Sequence, residues 1–235
     1  LTITEPVIGV DATAEVLSIS QVPLESETIE DYRKKIIDAI QLEPQGGSKT
    51  DYRLWSQDAQ GVSQVYPYVK ENNAGTVQVF VEAKKYDSED GNGTPSTYIL
   101  DLVREVIIMD PDETKPINER GRKPMQTILE VLPITLKPVD IVIYGLAQNN
   151  IDIQSLLRTN LDLFLSDIRP FIDGADLLKN KNDFLYSGKA QGVVSDSLGG
   201  GNFFNDLKTF VDGQEVVSFQ FSLSNIPYLR NVEYQ

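Results

Sequence analysis

The chain contains no cysteine and no histidine. The first absence excludes disulfides, thiolate metal sites and cysteine nucleophiles, and it leaves the compartment open because such a chain tolerates either redox state. The second removes the commonest general base, the imidazole partner of a serine nucleophile and the usual ligand of catalytic zinc. Carboxylate pairs, Ser-Lys dyads and oxygen-only metal sites survive, so catalysis is disfavoured but not excluded. Basic residues are scarce, 21 Lys and Arg against 35 Asp and Glu, and the net charge of −14 repels a phosphate backbone. With no local basic cluster against that background, nucleic acid is disfavoured as a partner. The same charge could steer the chain toward a basic partner, but a solvated surface is the better reading. No apolar run approaches the ~20 residues that cross a bilayer. Thr2 to Val10 carries neither a basic leader nor a signal core, and the missing initiator methionine suggests a trimmed piece of a longer product.

What is present describes a folding chain. Its 235 residues are 40% hydrophobic and 24% charged, enough for one large or two ordinary domains. Thr2 to Ile19 reads as an extended strand belonging to a domain upstream. Thr28, with Asp31 three residues on, caps a helix whose Ile29, Tyr32, Ile36 and Ile40 recur at helical spacing until Pro44. Ser48 and Asp51 repeat the capping pattern for a shorter helix with Tyr52, Trp55 and Ala59 on one face, ended by Gly61. Val62–Val69 and Thr76–Ala83 flank Asn72-Asn73-Ala74-Gly75 as a β-hairpin. After a polar loop from Asp87 to Gly93, Thr94 and Pro95 supply the N-cap and first residue of a helix carrying Ile99, Leu102, Val103 and Val106, which Asp110-Pro111 ends.

A charged stretch, Asp110 to Lys123, leads to two extended segments, Gln126–Leu132 and Ile134–Leu146, with a domain boundary at the break near Pro133. Asn149 and Asn150 precede an amphipathic helix that buries Ile153, Leu156, Leu157, Leu161, Phe164 and Ile168 and closes at Pro170. A short helix from Lys189 to Leu198 exits through Gly199-Gly200-Gly201. Phe204–Val211 and Val216–Leu223 pair around Asp212-Gly213, and Ile226–Tyr234 is a last strand. The element order predicts an α+β protein of two small α/β sandwich domains in series, the C-terminal one ferredoxin-like, preceded by an extended N-terminal strand. The expected boundaries are 1–25 for that strand, 26–133 for the middle domain and 134–235 for the C-terminal domain.

Residues 26–62, SETIEDYRKKIIDAIQLEPQGGSKTDYRLWSQDAQGV, carry a long ordered set: Asp31-Tyr32-Arg33, Pro44-Gln45-Gly46-Gly47-Ser48, Asp51-Tyr52-Arg53, Trp55 and Gly61-Val62. This set resembles the baseplate J-like proteins, the wedge subunits of phage-tail and related contractile-injection baseplates. The similarity continues through Gly75-Thr76-Val77, Leu100 to Val106, the strands either side of Pro133, Val211-Asp212-Gly213 and Ile226-Pro227-Tyr228-Leu229. It implies a non-enzymatic wedge protein in the tail baseplate that packs beside copies of itself or other baseplate proteins around the tail hub. No cofactor, metal, nucleic acid or membrane is implied, and the isolated fragment is expected to be a monomer or weak dimer. Two departures from the family are the missing N-terminal part and the stretches Asp87–Gly93 and Phe171–Asp183, which look like added loops.

Each signature feature has a plainer structural reading. Gly46-Gly47 before a helix lacks the spacing and lysine of a phosphate-binding loop and reads as a turn between helices. Gly199-Gly200-Gly201-Asn202 reads as a helix exit. Asp87, Glu89, Asp90 and Asn92, or Asp110, Asp112 and Glu113, offer oxygen ligands for Ca²⁺ without the full EF-hand spacing. Ser48 is a cap and not a nucleophile. Arg33, Arg53 and Asp51 are expected to form a charged bridge between the first two helices, and Trp55 to lie in the core. The alternative functional class is a carboxylate-dependent glycan hydrolase or a carbohydrate-binding tail module.

Overall fold

The computed structural model describes residues 29, 32, 33, 36, 46–199 and 201–235. In chain order they form α1 (Lys49–Ser56), β1 (Val62–Val69), β2 (Thr76–Ala83), α2 (Thr97–Ile108), β3 (Ile128–Pro133), β4 (Thr135–Tyr144) and α3 (Ile151–Ser166). There follow β5 (Phe184–Tyr186), α4 (Ser187–Ser197), β6 (Asp206–Val211), β7 (Gln214–Val216), β8 (Ser218–Gln220) and β9 (Asn225–Tyr234). The chain is a mixed α+β protein with several small sheets. The expected strand at Thr2–Ile19 and the cap at Thr28 lie outside the described residues, as do Asp31, Ile40 and Pro44. Ile29, Tyr32, Arg33 and Ile36 are helical, and Ile29, Tyr32 and Ile36 are exposed. Helical spacing of apolar residues marks a common face and does not say what covers it.

The first sheet has the order β1-β2-β3, antiparallel then parallel. Successive strand residues point to opposite faces. One face, with Val65, Val79, Val81 and Val131, packs on Tyr52 of α1 and on Ile99, Val103 and Ile107 of α2. The other presents Tyr66, Tyr68 and Phe80, which pack with Ile134, Ile172, Ala175 and Ile226 from further along the chain. The α2 stripe is buried as the spacing predicts, except that Leu102 is only partly covered. The N-cap is Ser96, whose side chain accepts from the Ile99 N–H, and not Thr94 followed by Pro95. Thr94 is already engaged, its N–H and hydroxyl both donating to Asp90.

The second sheet has the order β7-β6-β4-β9, with β4 parallel to β9 and antiparallel to β6. Val139, Ile141 and Ile143 face Leu157, Leu161 and Leu165 of α3 and Ala190 and Val194 of α4 in one core. Asn150 caps α3 as expected, but Leu156 is exposed, because Leu157, Leu161 and Leu165 already fill the inward stripe. That helix ends at Ser166, four residues before Pro170. Asp212 and Gly213 both take positive φ, 52° and 79°, so β6 and β7 form the expected two-residue hairpin. Its second arm stops at Val216, and the chain then crosses to β8, which pairs with β5 and not with β6. No ferredoxin-like arrangement is seen among the described residues: α3 and α4 both fall between β4 and β6, whereas the split β-α-β pattern places one helix in each of two crossovers.

Candidate functional site

The signature stretch builds α1 by local rules. Ser48 and Asp51 make a reciprocal capping box. The Asp51 carboxylate accepts from the N–H of Gly47 at 2.5 Å and of Ser48 at 2.8 Å. Those N–H groups are therefore turned onto the chain's own carboxylate and not outward to a phosphate. Gly47 has φ +116°, and a Cβ there would stand 2.7 Å from Pro124 Cγ, so the turn requires glycine on two counts. Gly46 (φ +75°) and Gly61 (φ +83°) also use the left-handed region.

Past its cap, α1 has two working faces. Tyr52 is buried and meets the half-buried Trp55 edge-on, ring centroids 5.4 Å apart, so both side chains serve the first core. Lys49, Thr50 and Arg53 turn the other way and grip the segment 172–176. Lys49 Nζ donates to the Asp173 carbonyl at 2.9 Å and Thr50 Oγ1 to the Gly174 carbonyl at 2.9 Å. Arg53 reaches the Ala175 carbonyl at 3.5 Å and pairs with both carboxylate oxygens of Asp176. The Ile172 N–H donates to Asp176 Oδ2 at 2.7 Å, fixing that carboxylate for the arginine.

Of the residues expected to bridge the first two helices, Asp51 and Arg53 have partners elsewhere. Asp51 serves the helix N-terminus, and Arg53 reaches across to a residue 123 positions away. Tyr32 and Arg33 lie exposed on their helix. Phe171–Asp183 is not wholly a surface stretch, since Ile172 and Ala175 are buried in the apolar cluster behind the first sheet.

A second polar clasp lies beside the first. Glu82 on β2 is 4% exposed. It accepts from Arg169 Nε at 3.0 and 3.1 Å, from Arg169 Nη2 at 2.7 Å, and from the Tyr66 hydroxyl at 2.5 Å. Burial, and after it the negative charge of Glu82, push the Tyr66 phenol well above its usual range. Both clasps line a cleft of about 320 Å³ between α1 and the first sheet on one side and the end of α3 with the segment after it on the other. Of the acidic residues that line it, Glu82 and Asp176 are each held by a guanidinium.

The acidic loops are likewise engaged with their own surroundings. Asp90 closes its loop by accepting from the N–H groups of Asn92 at 2.8 Å and Thr94 at 3.2 Å. Asp110 is held down to about 2, first by the hydrogen bond from Lys115 and then by that from the Asp112 N–H. Among the described residues, no three acidic side chains come together to hold a metal ion.

Sequence reasoning found the cap, the glycine turn and the core role of Trp55. It missed Glu82, Arg169 and Asp176, although Glu82, the one charged residue of its strand, and Arg169 beside Pro170 were visible signals.

Residues 44–133 match the family of the Baseplate J-like central domain. Among solved structures, the chain is similar to one in the six-fold symmetrised cryo-EM baseplate of the anti-feeding prophage, with 9% identity and a TM-score of 0.49. The similarity covers 88% of this chain and 42% of that one. No curated protein matches the chain.

Proposed function

We propose, from the premise that residues 44–133 form a Baseplate J-like central domain, that the chain is a structural component of a phage-tail or contractile-injection baseplate. In this reading it is a wedge subunit. It holds other baseplate proteins and copies of itself around the tail hub by surface complementarity, without catalysis, cofactor, nucleic acid or membrane. The family match carries the reading. It is supported by how the signature residues spend their polar groups, since Ser48, Asp51 and Arg53 all make bonds within the chain.

We read 26–133 and 134–235 as two domains, because the backbone changes sheets between Pro133 and Thr135. The isolated chain is a monomer or weak dimer in this account, its assembly contacts being completed by neighbours. Co-expression with the proteins encoded beside it, followed by affinity purification and size-exclusion chromatography, tests the function. A stable stoichiometric complex is expected. Failure of every neighbour to co-purify with the full-length protein, or turnover of cell-wall glycan by the pure chain, overturns it.

A further inference from the structure

Among the described residues the backbone passes from the first sheet to the second at a single residue. The Ile134 N–H still donates to the Val81 carbonyl of the first sheet at 3.2 Å, and the next N–H, that of Thr135, already donates to Ser224 at 2.8 Å. A rotation of the two halves about residues 133–135 therefore asks little of the backbone, and hinges of this kind absorb their motion over a few dihedrals at the ends of elements.

The angle between the halves is otherwise set by non-covalent contacts. One is the apolar cluster of Tyr66, Ile134, Ile172, Ala175 and Ile226. The others are the Arg53–Asp176 and Arg169–Glu82 clasps, with the bonds from Lys49 and Thr50 to the Asp173 and Gly174 carbonyls beside the first. Lys85 with Asp162, 2.6 Å apart, also spans the halves, but both side chains are 45% exposed and such pairs contribute little.

The two clasps combine features that suit setting an angle. Their guanidinium–carboxylate contacts are directional, so they fix orientation as well as distance. Their side chains are mostly buried, Arg53 at 8% and Asp176 at 18% exposure, so a broken partner is costly while the cleft is shut. Both nevertheless line the cleft, so water reaches the separated charges as soon as it widens. The apolar cluster beside them has no such wet exit, so the clasps are the part of the junction that can open to water. Polar interfaces between bodies of one chain are those at which relative motion is expected.

We infer that Arg53–Asp176 and Arg169–Glu82 are a two-point latch that holds the angle between the halves, and that opening of the cleft about residues 133–135 is the conformational step stored in this fold. Arg53 is then a positioning residue, with its helix as the lever arm. The latch does not depend on the baseplate reading, because it concerns the free chain.

The absence of native cysteine allows a direct test. Glu105→Cys on α2 and Asp196→Cys on α4 are exposed positions in opposite halves, and neither belongs to a clasp. Spin labels there, read by pulsed electron paramagnetic resonance on the full chain, give the distance distribution between the halves. The parent is expected to show one narrow distribution. Glu82→Gln combined with Asp176→Asn is expected to broaden it at least about twofold or add a longer distance, with the circular dichroism spectrum retained. A folded double variant with the parent's narrow distribution, or a parent that is already broad, overturns the latch. Should the double variant unfold, Asp176→Asn alone is judged by the same criterion.

Discussion

The two sheets are covered differently. The second, β7-β6-β4-β9, has one apolar core on its α3 and α4 side, while its other side carries charged pairs such as Arg230–Asp140 and Lys208–Glu215. The first, β1-β2-β3, is buried on both faces, by α1 and α2 on one side and by Ile172, Ala175 and Ile226 on the other. The second half thus closes its core with its own residues, whereas the first needs the second to cover Tyr66, Tyr68 and Phe80. Damage inside the second core should therefore reach both halves, while damage to the junction should fall mainly on the first.

The largest effect is expected from Leu161→Ala, which empties a fully buried position between α3 and the second sheet and should cost about 2–5 kcal/mol in urea unfolding. If the halves are coupled as described, fluorescence of Trp55 in the first half shifts along with it. Next comes Glu82→Ala, which leaves Arg169 without its carboxylate. Loss of one partner of a buried pair costs about 3–5 kcal/mol, and the 21% exposure of Arg169 puts the expected value at the lower end.

Alkaline pH should select the same region. The Tyr66 and Tyr68 phenols are raised, Tyr68 to about 12 and chiefly by burial. A group whose folded pKa lies above its unfolded value contributes stability in full below the unfolded value, here 10.0, and loses it as pH rises toward the folded one. Urea midpoints should therefore fall between pH 10.0 and about 12, and Tyr68→Phe should flatten that fall.

Gly47→Ala is expected to cost about 1–2 kcal/mol for the left-handed backbone, and somewhat more if Pro124 fails to yield. Arg230→Ala lies at the other extreme, since its pair sits on the open face of the second sheet. No change in melting temperature beyond experimental error is expected.

The elements legible in the sequence were those set by neighbouring residues. Ser48 and Asp51 are three apart and cap each other, Asp212-Gly213 dictates a tight hairpin, and the Leu157, Leu161, Leu165 stripe repeats every turn. Ser96 against Thr94 could not be decided locally, because both are capping types and the choice fell to Asp90, which takes Thr94. The strands β5 and β8, three residues each, are too short to show a period, so β8 was absorbed into the hairpin.

The junction was illegible for another reason. Arg53 meets Asp176 across 123 residues and Glu82 meets Arg169 across 87. Nothing at either end of such a pair marks its partner. Nor does anything in Phe171–Asp183 mark it as the stretch whose Ile172 and Ala175 cover the first sheet.

Hydrogen–deuterium exchange on the full chain, parent against Glu82→Ala, tests the central claim most directly. The account predicts that amides of β1 and β2 from Tyr66 to Tyr68 and Val79 to Val81 lose protection while those of β4, β6 and β9 keep theirs. Equal loss in both sheets, or loss confined to the second, would contradict it.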